Sequence, residues 1–284
     1  MTTAPTVTVT ADVLGIGLIG PGLAGWDAAR AVLRGDADHD AAVRTAVPPP
    51  QRLPPAERRR AGAAIKIAMA VADAACADAG VDPATLASVF TSSSGDGANC
   101  HALCETLASP APADRLVSPT RFTNSVHNAA AGYWHIAVGS RQASTSLCAF
   151  DTSLAAGLIA ALTQLGAPGG APLLLVASDT PYPQPLHATR PLPDTFGVAL
   201  VLAPAGGVPR ARARLTAALR PRDPAEASTP CRVASLDALR HAIPAAQALP
   251  LLEAIACGVA ATVVIDGGAA LALHLTVTPG EAAA

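Results

Sequence analysis

Three observations predict a layered α/β fold for this chain. Its apolar and polar periodicities alternate in the order β-α-α-β-α-α-β-α-β-β, the pattern of a sheet with helices on its faces. Leu173 to Ala177 is a continuous apolar run, as in a strand at the middle of a sheet covered on both sides. Hydrophobic residues reach 51% while aromatics are only 3%, and much of the rest is alanine. Helices must therefore lie close on the sheet through small side chains instead of packing around rings.

Val13 to Ile19 is a short apolar strand running into Gly20-Pro-Gly22, and a helix follows from Trp26 to Leu33. Residues 35 to 54, polar and proline-rich, form either an ordered loop or a mobile lid. Ala56 to Ala79 is the clearest helix: Ile65, Met69, Ala72, Cys76 and Ala79 recur at helical spacing, and Gly80 supplies the left-handed stop. A strand at Ser88 to Ser92 precedes a helix at Asn99 to Ala108, which Asp96 is placed to cap. A helix at Val126 to Val138, a strand at Ser144 to Ala149 and a small-residue helix at Thr152 to Leu165 lead to the central strand. Val198 to Leu202 and Arg212 to Leu219 read as an antiparallel pair with a Gly206-Gly207 turn. Residues 221 to 230 are a linker rich in Pro, Ser and Thr. The tail then gives helices near Ser235 to His241 and Ala246 to Cys257, and strands at Thr262 to Ile265 and Ala270 to Val277.

A formal net charge of −2 excludes a broad phosphate-binding surface, so nucleic acid is not an expected partner. The one basic run, Arg58-Arg59-Arg60, reads as a solvated helix face in preference to a docking site for an acidic carrier domain. Six cysteines, at 76, 100, 104, 148, 231 and 257, include no C-x-x-C pair, and no Cys or His pair completes a zinc site around Cys100 and Cys104. Cys76 and Cys257 read as small core hydrophobes. A reduced, cytoplasmic protein without metal or cofactor is expected. Met1 to Thr10 lacks the features of a signal peptide. Thr152 to Ser178 is uncharged but broken at Gly166 to Pro172, so it is not read as a membrane span.

Gly15-Ile-Gly17-Leu-Ile-Gly20 matches the dinucleotide-binding fingerprint and follows a strand. That mechanism needs a helix N-terminus facing the pyrophosphate and an acid ending a second strand. Here Pro21 and Gly22 interrupt the turn, and residues 35 to 55 hold no second strand. A tight glycine turn between a central strand and a helix is the expected role.

Ser118 to Gly157 reads SPTRFTNSVHNAAAGYWHIAVGSRQASTSLCAFDTSLAAG. This segment resembles the heart of β-ketoacyl synthases, where an Asn-x-x-Ala-Gly helix start leads to a strand ending in a Thr-Ala-Cys elbow. Asn128 to Gly132, Gly139 and Ser144 to Ala149 match in turn. Leu18 to Gly22, Ala72 to Asp82 and Phe196 to Ala203 resemble flanking pieces of the same family. The resemblance implies a thiolase-like layered fold, with a mixed five-stranded sheet between helices. It implies one half of a ketosynthase over residues 11 to 220, and a short C-terminal αβ segment at 231 to 278 packed on it.

The departures from the family pattern carry as much weight. The nucleophile position falls on Asp151 when anchored on Gly132 and on Phe150 when anchored on the Leu154 helix; neither is cysteine. A phenyl ring cannot hold an acyl thioester, and an aspartate would form only a labile mixed anhydride. Active synthases also take two histidines from a second αβ half, whereas the tail here holds only His241 and His274, in no matching motif. That half is expected to be missing or much shortened.

The pattern resembles short chain-length-factor-like proteins of the aryl polyene type, on the evidence of Ser125 to Trp134 and Ser178 to Pro183. The resemblance implies a non-catalytic subunit in a heterodimer with a full-length β-ketoacyl synthase that holds the nucleophile. Together they would enclose an acyl chain borne on an acyl carrier protein. His127, Asn128, Ala129, Ala130, Tyr133 and Trp134 are then the expected tunnel and interface residues. Cys148, with His127 or His135 as base, is the alternative: a small acyl-transferring enzyme.

Overall fold

The computed structural model describes residues 8–167, 169–206 and 211–280. Strand β1 (Thr8–Gly20) extends well beyond its apolar centre; a two-residue β2 (Leu23–Ala24) folds back on it, and α1 (Trp26–Arg34) follows. The single helix expected over 56–79 is two helices, α2 (Pro55–Arg60) and α3 (Ala63–Ala79). Ala61 turns extended between them, and Gly62 is a weak helix former that passes so close to Asp96 that a β-carbon there would sit 2.7 Å from its Oδ2. Helix α3 stops on Gly80 at φ +66, as its spacing predicts. The basic run Arg58 to Arg60 lies on α2, which buries no residue.

Strand β3 (Ala87–Thr91) is followed by α4 (Gly97–Leu107), capped as expected by Asp96, whose Oδ1 accepts from the Asn99 N–H at 2.9 Å. Next come α5 (Pro119–Asn124) and α6 (Ala129–Val138). Helix α6 starts three residues later than its apolar pattern predicts. Strand β4 (Ser144–Leu147) then leads through a tight turn into α7 (Ser153–Leu165). The wholly buried β5 (Leu173–Asp179) fits its uninterrupted apolar run. The short α8 (Leu186–Thr189), β6 (Phe196–Pro204), β7 (Ala213–Pro221), α9 (Ala234–Ala242), α10 (Leu249–Cys257), β8 (Ala261–Asp266) and β9 (Leu271–Pro279) complete the described chain.

The strands form one mixed sheet in the order β4-β3-β5-β6-β1-β7-β9-β8. Strand β3 runs parallel to β4 and β5, and every other pairing is antiparallel. The first five strands of that order are the expected mixed sheet; the C-terminal strands continue it past β1. Strands β6 and β7 are not the hairpin that their sequences suggest. Strand β1 lies between them, pairing β7 through Thr8 to Val13 and β6 through Ala11 to Ile19, with a register shift between Val13 and Gly15. Asp12 on β1 helps hold both neighbours: its carboxylate accepts from Gly206 N at 2.8 Å and from Arg214 Nε at 2.8 Å. Of the expected turn, Gly207 lies outside the described residues.

The glycine run does not form the turn. Gly15 and Gly17 sit inside β1, where a β-carbon would fall 2.3 Å from the Ala75 carbonyl and 2.0 Å from the Val71 carbonyl of α3. They let α3 lie directly against the strand, so the fingerprint is a packing device. The chain reverses at Pro21-Gly22 instead, with Gly22 at φ +66.

Helices α3 and α6 cover one face of the sheet, while α7, α1 and α10 cover the other, giving two apolar cores. Each large aliphatic side chain buried this way, such as Leu154, Leu158 and Leu162 of α7, contributes about 1.5–3 kcal/mol. Residues 35–54 are an ordered loop: the Thr45 hydroxyl donates to the Thr195 carbonyl at 2.7 Å, and Gly22 N donates to Val43 O at 2.9 Å. Cys76 is buried as expected, but Cys257 is only half-buried, with Arg232 Nη2 2.7 Å from its sulfur. No helix among the described residues is long and apolar enough to cross a membrane. The C-terminal ends of the parallel strands β3, β4 and β5 converge on one edge, the place where open α/β sheets present their ligand-binding loops.

Candidate functional site

Strand β4 ends at Leu147, and Cys148 and Ala149 carry the chain to Phe150, which opens the turn into α7. Phe150 stands at φ +52, the one non-glycine residue with positive φ among those described. A left-handed backbone costs an ordinary residue about 1–2 kcal/mol. Ser153 holds this elbow: its Oγ accepts from Ala149 N at 2.9 Å and lies 2.7 Å from the Phe150 carbonyl. Of the two candidate positions, Phe150 carries the left-handed backbone and Asp151 follows it.

Phe150 is 60% exposed on one side and covered on the other by the Arg190 guanidinium, 3.4 Å from its ring centre. Arg190 Nη2 also reaches Asp151 Oδ1 at 2.5 Å, and Gln247 Nε2 donates to the Asp151 carbonyl at 2.9 Å. Phe150, Asp151, Arg190, His241 and Gln247 border an open pocket of about 630 Å³. The sequence reading missed Arg190 and Gln247. Arg190 sits in an aperiodic proline-rich stretch, and only the fold brings it to the elbow.

Cys148 precedes the elbow by two residues. Its sulfur lies 3.5 Å from His127 Nδ1 and 3.6 Å from the Ser92 hydroxyl. Desolvation around the sulfur pushes the thiol above its usual value, the Ser92 hydrogen bond pulling the other way and the Asp179 carboxylate adding to the rise. His135, the other expected base, is engaged elsewhere: its Nε2 is 2.8 Å from the Ser88 hydroxyl, and burial holds the imidazole below its usual value.

The serine-rich loop 92–96 closes over this edge. Asp179, at the end of β5 and 4% exposed, accepts from Ser93 N at 2.7 Å and from Ala245 N at 2.8 Å, joining the loop to the C-terminal segment. Burial raises its pKa above the usual carboxylate value, against those two hydrogen bonds. The Tyr182 hydroxyl lies 2.5 Å from Ser94 Oγ.

The other expected residues gather around the start of α6. Ala129 and Ala130 line a narrow pocket of about 40 Å³ walled by Ile65, Ala68 and Phe90, with His127 and Ser92 also on its lining. His127 and Asn128 border a shallower depression of about 360 Å³ against β4. Tyr133 is half-buried. Trp134, expected at an interface, is 1% exposed and packs into the core under α3: its place on the helix turns it toward the sheet. The exposed apolar residues nearby are Phe122, Val126 and Ile136, at 68%, 52% and 78%. Ile136 lies on α6, which packs beside β4, an edge strand whose outer side has no partner among the described residues. Among those residues no three metal-ligating side chains cluster together.

The sequence profile of the β-ketoacyl synthase N-terminal domain matches residues 33–252. No curated protein matches the sequence. Among solved structures, a ketosynthase (ApeO) in complex with its chain length factor (ApeC) from Xenorhabdus doucetiae is similar at TM-score 0.69 and 22% identity, over 94% of this chain and 99% of that one. The ishigamide ketosynthase/chain length factor is similar at TM-score 0.73 and 15% identity, over 95% and 99%. The type II polyketide synthase complex AntDE:AntF, an acyl-carrier protein with its ketosynthase bound to the hexaketide, is similar at TM-score 0.71 and 10% identity, over 96% and 100%. At these identities the likeness is one of fold.

Proposed function

The chain belongs to the family of β-ketoacyl synthase N-terminal domains, and from that premise we propose that it is a non-condensing subunit of the chain-length-factor kind. It pairs with a full-length β-ketoacyl synthase and shapes the tunnel that receives the acyl chain borne by an acyl carrier protein. The observation that carries this reading is the elbow. The strained position where the family places its nucleophile is filled by the Phe150 ring under Arg190, and a phenyl ring offers no atom to hold a thioester. A product of the polyketide or polyene type, aryl polyenes included, follows from the resemblance of residues 125–134 and 178–183.

Two further features support pairing. Among the described residues strand β4 leaves one edge open, and the exposed Ile136 lies on α6 beside it, a combination suited to strand-edge and hydrophobic docking. Solved structures of similar fold are described as complexes of a ketosynthase with a chain length factor. Residues 11–220 are read as the synthase-like unit and 231–278 as a short segment packed on it. Six free cysteines fit a reducing cytoplasmic setting.

Co-expression with a full-length β-ketoacyl synthase tests the reading. The two chains should co-purify, and condensation of acyl and malonyl thioesters should require the nucleophile of the partner. With Cys148→Ala the rate should stay within a few-fold of wild type. Condensation by this chain alone would overturn the proposal, as would a loss of several hundred-fold in a folded Cys148→Ala complex.

A further inference from the structure

We infer that Cys148 and His127 form a thiol–imidazole pair that takes up acyl groups from thioesters. Four observations lead there. Cys148 is exposed, unlike Cys76 and Cys231, which are buried and whose thiols desolvation pushes up to about 12. Its sulfur has a ring nitrogen at 3.5 Å, a contact that the other exposed cysteines, Cys100 and Cys104, do not make among the described residues. Ser92 Oγ accepts from Gly95 N at 2.8 Å, which leaves its own proton free to point at the sulfur 3.6 Å away. Finally, His127 and Ser92 both lie on the lining of the narrow pocket, whose apolar walls include Ile65, Ala68, Phe90, Ala129 and Ala130 and whose polar walls include Asp96 and Asn124. An electrophilic carbonyl held at the sulfur would therefore lie next to two residues that open onto a cleft with an apolar wall, where the start of an alkyl chain could rest.

The chemistry is a thioester exchange. His127 Nδ1 takes the Cys148 proton as the sulfur attacks the thioester carbonyl and a new carbon–sulfur bond forms. The tetrahedral adduct collapses by expelling the donor thiolate, which takes the proton back from His127. One thioester replaces another, with no oxidant or reductant. A base is needed because the thiol is held above its usual value and stays protonated near neutral pH. The sulfur sits on the approach to the elbow, not at it, so the pair stores or intercepts an acyl group and performs no condensation. The inference stands on this chain alone and does not depend on a synthase partner.

The full chain incubated with octanoyl-N-acetylcysteamine tests it by intact mass and peptide mapping. A single octanoyl adduct should form on Cys148 and disappear in Cys148→Ser. His127→Gln should slow loading by about 10²-fold or more. Loading that remains in His127→Gln should rise with pH as the Cys148 thiol, held above its usual value, loses its proton. Both positions are at the surface, so each variant should melt within a few degrees of wild type, which separates loss of chemistry from loss of fold. Octanoylation spread equally over Cys100, Cys104 and Cys148 would overturn the inference, and so would an unchanged rate and pH profile in folded His127→Gln.

Discussion

The guanidinium of Arg190 stacks 3.4 Å from the centre of the Phe150 ring, and the same group is bonded to Asp151, the next residue of the elbow. One cation from the loop after β5 thus holds a strained turn that β4 and α7 create. A stack of this kind at a partly exposed site is worth about 0.5–1 kcal/mol, less than the cost of a left-handed phenylalanine.

That imbalance predicts an unusual order of stability at position 150. Phe150→Gly should be more stable than Phe150→Ala by about 1 kcal/mol, since glycine adopts positive φ freely and alanine does not. At an extended or helical position the order is the reverse. Urea midpoints of the two variants decide it, and an alanine variant as stable as the glycine one would mean that Phe150 is not strained.

Asp12 gives a prediction in pH. Burial alone would raise its pKa, but the bonds from Arg214 and the Gly206 N–H outweigh it and hold the carboxyl below its usual value. A group depressed on folding stabilises the protein fully above its ordinary value, and that contribution is lost as pH falls through the folded value. Asp12→Ala should therefore cost about 1–3 kcal/mol at neutral pH, and the gap from wild type should shrink at pH about 3. A gap that is constant between the two pH values would show that the ion pair contributes nothing.

Much of the fold was legible because its signals are local. The buried β5 announced itself by an unbroken apolar run, and α3 by helical spacing ending on Gly80. What stayed hidden depends on contacts far apart in sequence. Nothing local says that β1 inserts between β6 and β7, because strand pairing is decided by which edges remain open, not by the strands' own residues. Gly15 and Gly17 mimic a nucleotide loop until α3 is seen lying across them. The site divides the same way. The family pattern points to Phe150 or Asp151, and the left-handed backbone at Phe150 is a feature no sequence signal carries. Arg190, Asp179 and Gln247 carry no periodic signal at all.

The apolar surface beside β4 makes the next prediction. Ile136 is 78% exposed on α6, so Ile136→Glu should leave folding stability within about 0.5 kcal/mol of wild type. If this face docks the synthase, a charge placed on it should weaken the complex by about 2 kcal/mol, roughly thirtyfold in Kd. Sedimentation or calorimetry of the reconstituted pair measures this. Undiminished affinity would place the partner elsewhere on the chain.

The narrow pocket at the start of α6 supports the last prediction. Ala129 and Ala130 offer only methyl groups to a space of about 40 Å³, so a larger side chain at either position would take up part of it. Replacing either with Phe inserts a ring that a packed interior absorbs only at a strain of about 1–3 kcal/mol. If the acyl chain of the partner extends into this pocket, the ring meets the growing end after several condensations and not before the first. Early turnover should then proceed at a near-normal rate while the product distribution shifts to shorter chains, as seen by mass spectrometry of carrier-bound intermediates. Loss of all turnover would instead signal a damaged interface, which the affinity measurement on the same variant would detect. A complex that assembles normally and makes products of unchanged length would show that Ala129 and Ala130 do not bound the tunnel.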